Sequence, residues 1–228
     1  MDYLDKLENE SIYIIREAYS QIKDIALLWS IGKDSTTLLW LIRKAFYGQI
    51  PFPIIHLDTE HKFKEIYQFR DTYAKEWNLD VIVHKNEEKI KSGVCPQRGK
   101  LECCTELKTN ALKQIVKEKK FKALYLGIRR DEHGIRAKER YFSVRDEDFE
   151  WDYKEQAPEL WGQYKTKIDD EKHIRVHPLL GWTELDIWEY IHREHIPIVD
   201  LYLAKNGKRY RSIGCESCCK PIDSEADT

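Results

Sequence analysis

The chain predicts an α/β fold, a doubly wound and mostly parallel sheet with helices on both faces, and three observations carry that expectation. Short apolar runs of strand length alternate with stretches whose apolar residues recur at helical spacing. Strands that alternate with helices of this length imply βαβ crossovers, which make neighbouring strands parallel. One run, Ile25-Ala26-Leu27-Leu28-Trp29, passes through Ser30-Ile31-Gly32 into a helical pattern at Leu38, Leu41, Ile42 and Ala45. This is a strand, a tight loop and a helix.

Residues 2–23 place Leu4, Leu7, Ile14, Ile15, Ala18 and Ile22 among charges, the pattern of one or two helices laid on the sheet before the first strand. After the loop helix, Pro51-Phe52-Pro53 punctuates the chain, and Ile54-Ile55-His56-Leu57 reads as a second strand running into Asp58-Thr59. Phe63, Ile66, Tyr67, Arg70, Tyr73, Ala74 and Trp77 fall on a helical repeat, and Asp80-Val81-Ile82-Val83-His84 is a third strand. Residues 87–102 have little periodicity and read as a loop. A fourth strand, Ala123-Leu124-Tyr125-Leu126, runs into Gly127-Ile128-Arg129-Arg130-Asp131-Glu132. Residues 145–172, rich in charge, Trp and Tyr, read as an insertion covering the site. Ile174-Arg175-Val176-His177-Pro178-Leu179 is a last strand, and Thr183-Glu184-Leu185-Asp186 caps a helix through Ile187, Trp188, Ile191 and His192. One domain over 1–228 is expected.

At 228 residues, with 42% hydrophobic and 12% aromatic residues, the chain can bury one sizeable core. A formal charge of −2 gives no global case for binding nucleic acid or an anionic membrane. The densest basic runs, Lys117 to Lys122 and Lys205 to Arg211, read as solvated helix ends and loops. The start is too acidic for a signal peptide and no run is long enough to span a bilayer, so a cytoplasmic protein that meets no membrane is expected. In that compartment six cysteines point to metal or redox chemistry before disulfides.

A helix that starts at the end of such a loop aims unpaired N–H groups and its positive dipole end at phosphate. Gly32 allows close backbone approach, Lys33 supplies a cation, and Ser30, Ser35, Thr36 and Thr37 supply hydroxyls. The P-loop of nucleoside triphosphatases is excluded, because Leu27 stands where its first glycine belongs. In parallel sheets ligands bind beyond the carboxyl ends of strands. The Ser30 loop, Asp58-Thr59 and Gly127 to Glu132 should therefore meet at one crevice, where adjacent Arg129 and Arg130 suit an oxyanion.

Ser30-Ile31-Gly32-Lys33-Asp34-Ser35 resembles the pyrophosphate loop, Ser-Gly-Gly-Lys-Asp-Ser, of the N-type ATP pyrophosphatase superfamily, whose fold is the adenine nucleotide alpha hydrolase-like one. Ile31 replaces a glycine there, which disfavours a left-handed backbone at that position. With His56-Leu57-Asp58-Thr59, Gly127 to Glu132, Arg136-Ala137-Lys138-Glu139-Arg140 and Trp182 to Trp188, the likeness covers nearly the whole chain. These residues look like the phosphoadenosine-phosphosulfate reductase family, and in particular its ATP-binding sulfate adenylyltransferase small subunits. The resemblance implies that Ser30, Ile31, Gly32, Lys33, Asp34 and Ser35 hold pyrophosphate. It puts Leu57, Asp58 and Gly127 by the nucleotide, has Lys33 stabilise the departing pyrophosphate and Arg129 and Arg130 meet the transferred group, with ATP and Mg²⁺ as cofactors. Asp34, Asp58, Asp131 and Glu132 are all near enough to serve as a general base.

Cys103-Cys104 and Cys215-Glu216-Ser217-Cys218 give a pair, a long gap and a Cys-x-x-Cys, four thiolates that suit zinc or an iron–sulfur cluster. With Lys108 and the lead-in Ser212-Ile213-Gly214, they resemble the [4Fe–4S] site of bacterial adenylylsulfate reductases, which favours a cluster with residues 200–228 as its C-terminal tail. Cys219 is an alternative to Cys218, and Cys95 is a spare. No thiol lies beyond Cys219 for a reductase nucleophile. The sequence therefore leans to the ATP pyrophosphatases of DNA phosphorothioation systems, which activate backbone phosphate for sulfur insertion, with DNA as substrate and a cysteine desulfurase as partner. The alternatives are a sulfate adenylyltransferase small subunit with sulfate as substrate and a GTPase partner chain, and a reductase-like or non-catalytic nucleotide or redox sensor. A homo-oligomer is compatible with any of them.

Overall fold

A computed structural model describes residues 2–154, 156–167 and 172–225. Its centre is a six-stranded sheet of β1 (Ile25–Leu28), β2 (Ile54–Leu57), β3 (Val81–His84), β4 (Ala123–Tyr125), β5 (Phe142–Arg145) and β6 (His173–Val176). The strand order is β3-β2-β1-β4-β6-β5. All neighbours are parallel except β5, which runs antiparallel to β6 on the edge. Chain order reverses direction between β1 and β4, so the loops leaving these two strands diverge and open a crevice.

Side chains along each strand alternate between two cores, the period of an extended backbone. Ile25 and Leu27 of β1 and Ala123 and Tyr125 of β4 face one cluster, while Ala26 and Leu124 face the other. The first cluster takes the apolar faces of α1 (Tyr3–Gln21), α2 (Lys33–Ala45), α3 (Lys64–Glu76) and α7 (Glu184–Glu194). On the opposite face lie Ile115 and Val116 of α6 (Ala111–Lys119). Helices on both faces of a mostly parallel sheet are the expected doubly wound arrangement.

Residues 2–23 form a single helix, with Asp2 and Asp5 making a capping box at its start. One expectation about connections fails, and one strand goes unread in the sequence. Residues 87–102 are not a plain loop: they hold α4 (Glu87–Lys91) and the start of α5 (Lys100–Cys104). The latter continues through a wide π turn at Thr105–Asn110 into α6. That turn breaks the 3.6-residue period by which a helix is read. Strand β5 is the second departure from the sequence pattern. Its inward charge, Arg145, is buried and bonded to Glu139 at 2.7 Å and to the Ser143 hydroxyl at 2.7 Å, so a charged residue stands where a strand pattern calls for an apolar one. Of the insertion expected over 145–172, residues 155 and 168–171 lie outside the described residues, as do 226–228 of the expected C-terminal tail.

Candidate active site

The loop after β1 turns at Ile31, whose φ is +69°, so the sequence expectation against a left-handed backbone here is overturned. A β-branched residue in that region costs about 1–3 kcal/mol. Burial supplies the compensation, since the Ile31 side chain is fully packed in the larger core. Gly32 then opens α2 and supplies no side-chain cap to its first turn. Across the crevice, Gly127 follows β4 so closely that a Cβ there would meet the Asp34 carbonyl and Ser35 Cα at 3.0 Å. Its place in the site is that close approach.

The loop's polar groups are engaged by the protein itself. The Ser30 and Ser35 hydroxyls lie 3.0 Å apart, and the Ser35 hydroxyl also lies 3.0 Å from the Gly32 carbonyl, to which it can donate. Thr36 and Thr37 do not join them: both are buried, and Thr36 accepts from the Trp29 indole at 3.1 Å. The Lys33 N–H donates to the Tyr202 hydroxyl at 3.0 Å. The buried Lys33 ammonium lies 3.3 Å from Glu184 and 3.2 Å from Asp34, with the rings of Trp188 and Tyr202 near it. Burial lowers its pKa, and Glu184 opposes that shift. Glu184 in turn holds Arg211 at 2.7 Å.

Arg129 is buried and pairs with Asp34 and, at 2.9 Å, with Asp131. Arg130 does not accompany it. The backbone at Arg129 is extended, so the next side chain turns the other way, and Arg130 lies over the Tyr141 ring at 5.3 Å. The carboxylates considered as bases are all in bonds: Asp131 also accepts the Glu184 N–H at 2.8 Å, and Glu132 pairs with Arg136. Asp58 is buried and accepts from the Glu60 N–H and the Tyr67 hydroxyl, each at 2.8 Å, with Lys85 at 3.2 Å. These donors hold its pKa low against burial.

Beside the loop lies a cavity of about 380 Å³ lined by Leu28, Ser30, Leu57, Leu126, Phe149 and Ile213, with Lys62, Lys108 and Arg175 among its polar groups. Leu57 is therefore at the cavity while Asp58 sits behind it. A second pocket of about 380 Å³ is lined by Cys104, Cys215, Cys218 and Cys219 and shares Lys108, Ile213 and Gly214 with the first. Cys103 is buried next to it. Burial pushes its thiol up to about 11, and Cys215, Cys104 and Cys218 push the same way. Cys95 is outside this group. Among the described residues no three Cys, His, Asp or Glu side chains stand where they could hold one metal ion.

Glu184, Tyr202 and Arg211 stand beside Lys33 and its partners, and the sequence reading assigns none of them a role there. In the sequence Glu184 stands inside the Trp182–Trp188 likeness and at a helix start, with no role of its own; in the structure it follows Thr183 in the Thr183–Asp186 capping box. Tyr202 reaches Lys33 from 169 positions away, a distance that no local pattern spans.

Residues 24–221 match the phosphoadenosine phosphosulfate reductase domain family. Sulfate adenylyltransferase subunit 2 of Geotalea daltonii is 44% identical, across 100% of this chain and 86% of its own length. The protein of the same name from Vibrio cholerae is 42% identical over the same shares. Among solved structures, the phosphate complex of the phosphoadenylyl-sulfate reductase of Candida auris superposes with a TM-score of 0.66 at 17% identity, over 96% of this chain and 98% of that one. The FMN adenylyltransferase of Candida glabrata in complex with ATP gives 0.66 at 18%, over 93% and 61%. At those identities the two structures speak for the fold.

Proposed function

The chain belongs to the phosphoadenosine phosphosulfate reductase domain family, and on that premise we propose that it transfers the adenylyl group of ATP to sulfate, as the nucleotide-binding subunit of a sulfate adenylyltransferase. One observation carries this reading: identity of 42–44%, across 100% of this chain and 86% of theirs, to proteins named as subunit 2 of that enzyme. The acceptor expected first, DNA backbone phosphate with a cysteine desulfurase as partner, has no counterpart among these relatives, and sulfate replaces it. A subunit 2 works beside a companion subunit, for which a GTPase chain is the proposal.

The geometry suits the chemistry. Adenosine occupies the apolar cavity between Leu57, Leu126 and Phe149, and the triphosphate, taken with Mg²⁺, lies over the first turn of α2. A sulfate oxygen attacks the α-phosphorus, the bond to the β-phosphate breaks, and the electron pair leaves with pyrophosphate. Lys33 and Arg129 are the cations nearest the loop, and both exchange a carboxylate partner for phosphate oxygens as charge develops on the leaving group. Glu184 and Asp34 hold these two cations in place before the nucleotide arrives.

The thiols around the second pocket are the right donor type for a [4Fe–4S] cluster, with Cys103, Cys104, Cys215 and Cys218 as its holders and Cys219 beside them. Such a group would supply redox or electrostatic chemistry next to the nucleotide cavity. Iron and sulfide in anaerobically purified protein test it, and a fully active protein free of both removes it.

Pyrophosphate release from ATP, measured with sulfate, with DNA and with neither, in the presence of the companion subunit, tests the reaction. Sulfate-dependent release that falls by about 10²-fold or more in Lys33→Ala is expected. Release stimulated by DNA and indifferent to sulfate would restore the other acceptor.

A further inference from the structure

Lys62 is a half-buried ammonium facing the nucleoside cavity. Among the described residues the polar partner of its Nζ is a neutral ring nitrogen, His56 Nε2, at 3.0 Å. Asp58, the carboxylate that acts on it most, is already taken by Lys85 and by two further donors. Glu150, the carboxylate lining the cavity, stands 4.0 Å from Lys113. Lys108 stands on the same cavity wall. Two like charges turned to one cavity are costly unless an anion joins them.

The position of Lys62 is fixed from behind. His56 is fully buried on β2, and its Nδ1–H donates to the Trp29 carbonyl at 2.9 Å. That leaves Nε2 as an acceptor, so the ring holds one proton of the ammonium and leaves two to point elsewhere. The Trp29 carbonyl is the last before Ser30, so the bond chain Trp29–His56–Lys62 sets the ammonium at a defined place relative to the phosphate loop. On its other side, Lys62 bridges by backbone to Cys215.

We propose that Lys62, positioned by His56 and faced by Lys108, binds the attacking oxyanion, a tetrahedral dianion of the sulfate class, where the nucleoside cavity meets the cysteine pocket. The inference rests on the adenylyl-transfer reading and adds to it the residue that selects the acceptor. The product of that reaction carries its sulfo group on the α-phosphate, so in product the sulfo oxygens occupy the Lys62 subsite.

Binding of ATP, AMP and adenylylsulfate to the full chain, by calorimetry, tests this with Lys62→Ala, Lys62→Arg and the exposed control Lys75→Ala near the C-terminal end of α3, each checked for folding by urea unfolding. The wild type and the control are expected to prefer adenylylsulfate over AMP by roughly 10-fold or more, the worth of a charge-assisted hydrogen bond. In Lys62→Ala that preference should collapse to about 1, with partial recovery in Lys62→Arg. A preference unchanged in folded Lys62→Ala overturns the proposal. So does a loss of bound metal with the preference intact, which would assign the lysine to the cysteines. A wild type that binds ATP and AMP but does not favour adenylylsulfate overturns the subsite and leaves the nucleotide reading standing. A wild type that binds none of the three removes the adenylyl-transfer reading itself.

Discussion

A methyl group on Gly127 has nowhere to go, because the atoms it would meet at 3.0 Å are backbone of Asp34 and Ser35 rather than the ends of flexible side chains. Gly127→Ala should therefore cost about 1–3 kcal/mol, read as a lower urea midpoint, and should weaken ATP binding because the first turn of α2 is pushed aside. Ile31 is the converse case. Ile31→Gly relieves a left-handed backbone worth about 1–3 kcal/mol but empties a core position worth about 2–5 kcal/mol. Net destabilisation of about a kcal/mol or more is expected, with ATP affinity kept within a few-fold; a more stable variant would show that the strain outweighs the packing. Local preference at Ile31 argues against the backbone it adopts, and only the surrounding core, absent from a linear pattern, overrides that preference.

Helix α7 shows what a single element can disclose in advance. Its Thr183-x-x-Asp186 signature is legible in the sequence, and the structure has both halves of the capping box, with the Thr183 N–H donating to the Asp186 carboxylate at 2.7 Å and the Asp186 N–H donating to the Thr183 hydroxyl at 3.2 Å. Thr183→Ala should lower stability by about 1 kcal/mol and loosen Glu184, the residue that follows. The resulting fall in melting temperature should accompany a change in nucleotide affinity, since Glu184 is the counter-ion of Lys33. The β1–α2 unit is equally legible, because its apolar period is uninterrupted. The helix through Cys103 and Cys104 is not, since a wide turn shifts its register and its buried face carries thiols.

Across the whole molecule, three histidines are buried neutral, and each has its pKa lowered to about 3, mainly by burial. His56 faces Lys62, Arg70 and Asp58; His173 faces Arg175 and Arg145; His177 faces Arg145, Arg175 and Arg136. In the unfolded chain these rings titrate near the ordinary value of about 6.5. Between about pH 6.5 and 3 the unfolded state therefore binds up to three more protons, so this stability is complete above about 6.5 and drains away as the pH falls. Urea unfolding at about pH 7, 6 and 5 should show a fall that steepens with acid, and a flat profile would mean that the rings protonate in place. The site is a whole-molecule property in the same sense. Its loop and the crevice can be read from strand ends, but the partners of Lys33 come from α7 and from the segment after it, which only the closed fold brings near. The six cysteines can be counted in the sequence, yet that four of them line a pocket adjoining the cavity beside the loop, with Cys103 buried next to them, is knowledge of the fold.

The phenol of Tyr202 gives the first amide of α2 an acceptor before any ligand does, and the same oxygen is within hydrogen-bonding reach of the Ile213 backbone. On the adenylyl-transfer reading, a phosphate oxygen that takes this amide replaces the Tyr202 oxygen, so a measured dissociation constant reports the difference between the two acceptors. The chain that leaves Tyr202 runs on to Ile213 and Gly214, which line both the cavity beside the loop and the cysteine pocket, so one segment borders the first amide of α2, the cavity and the thiols.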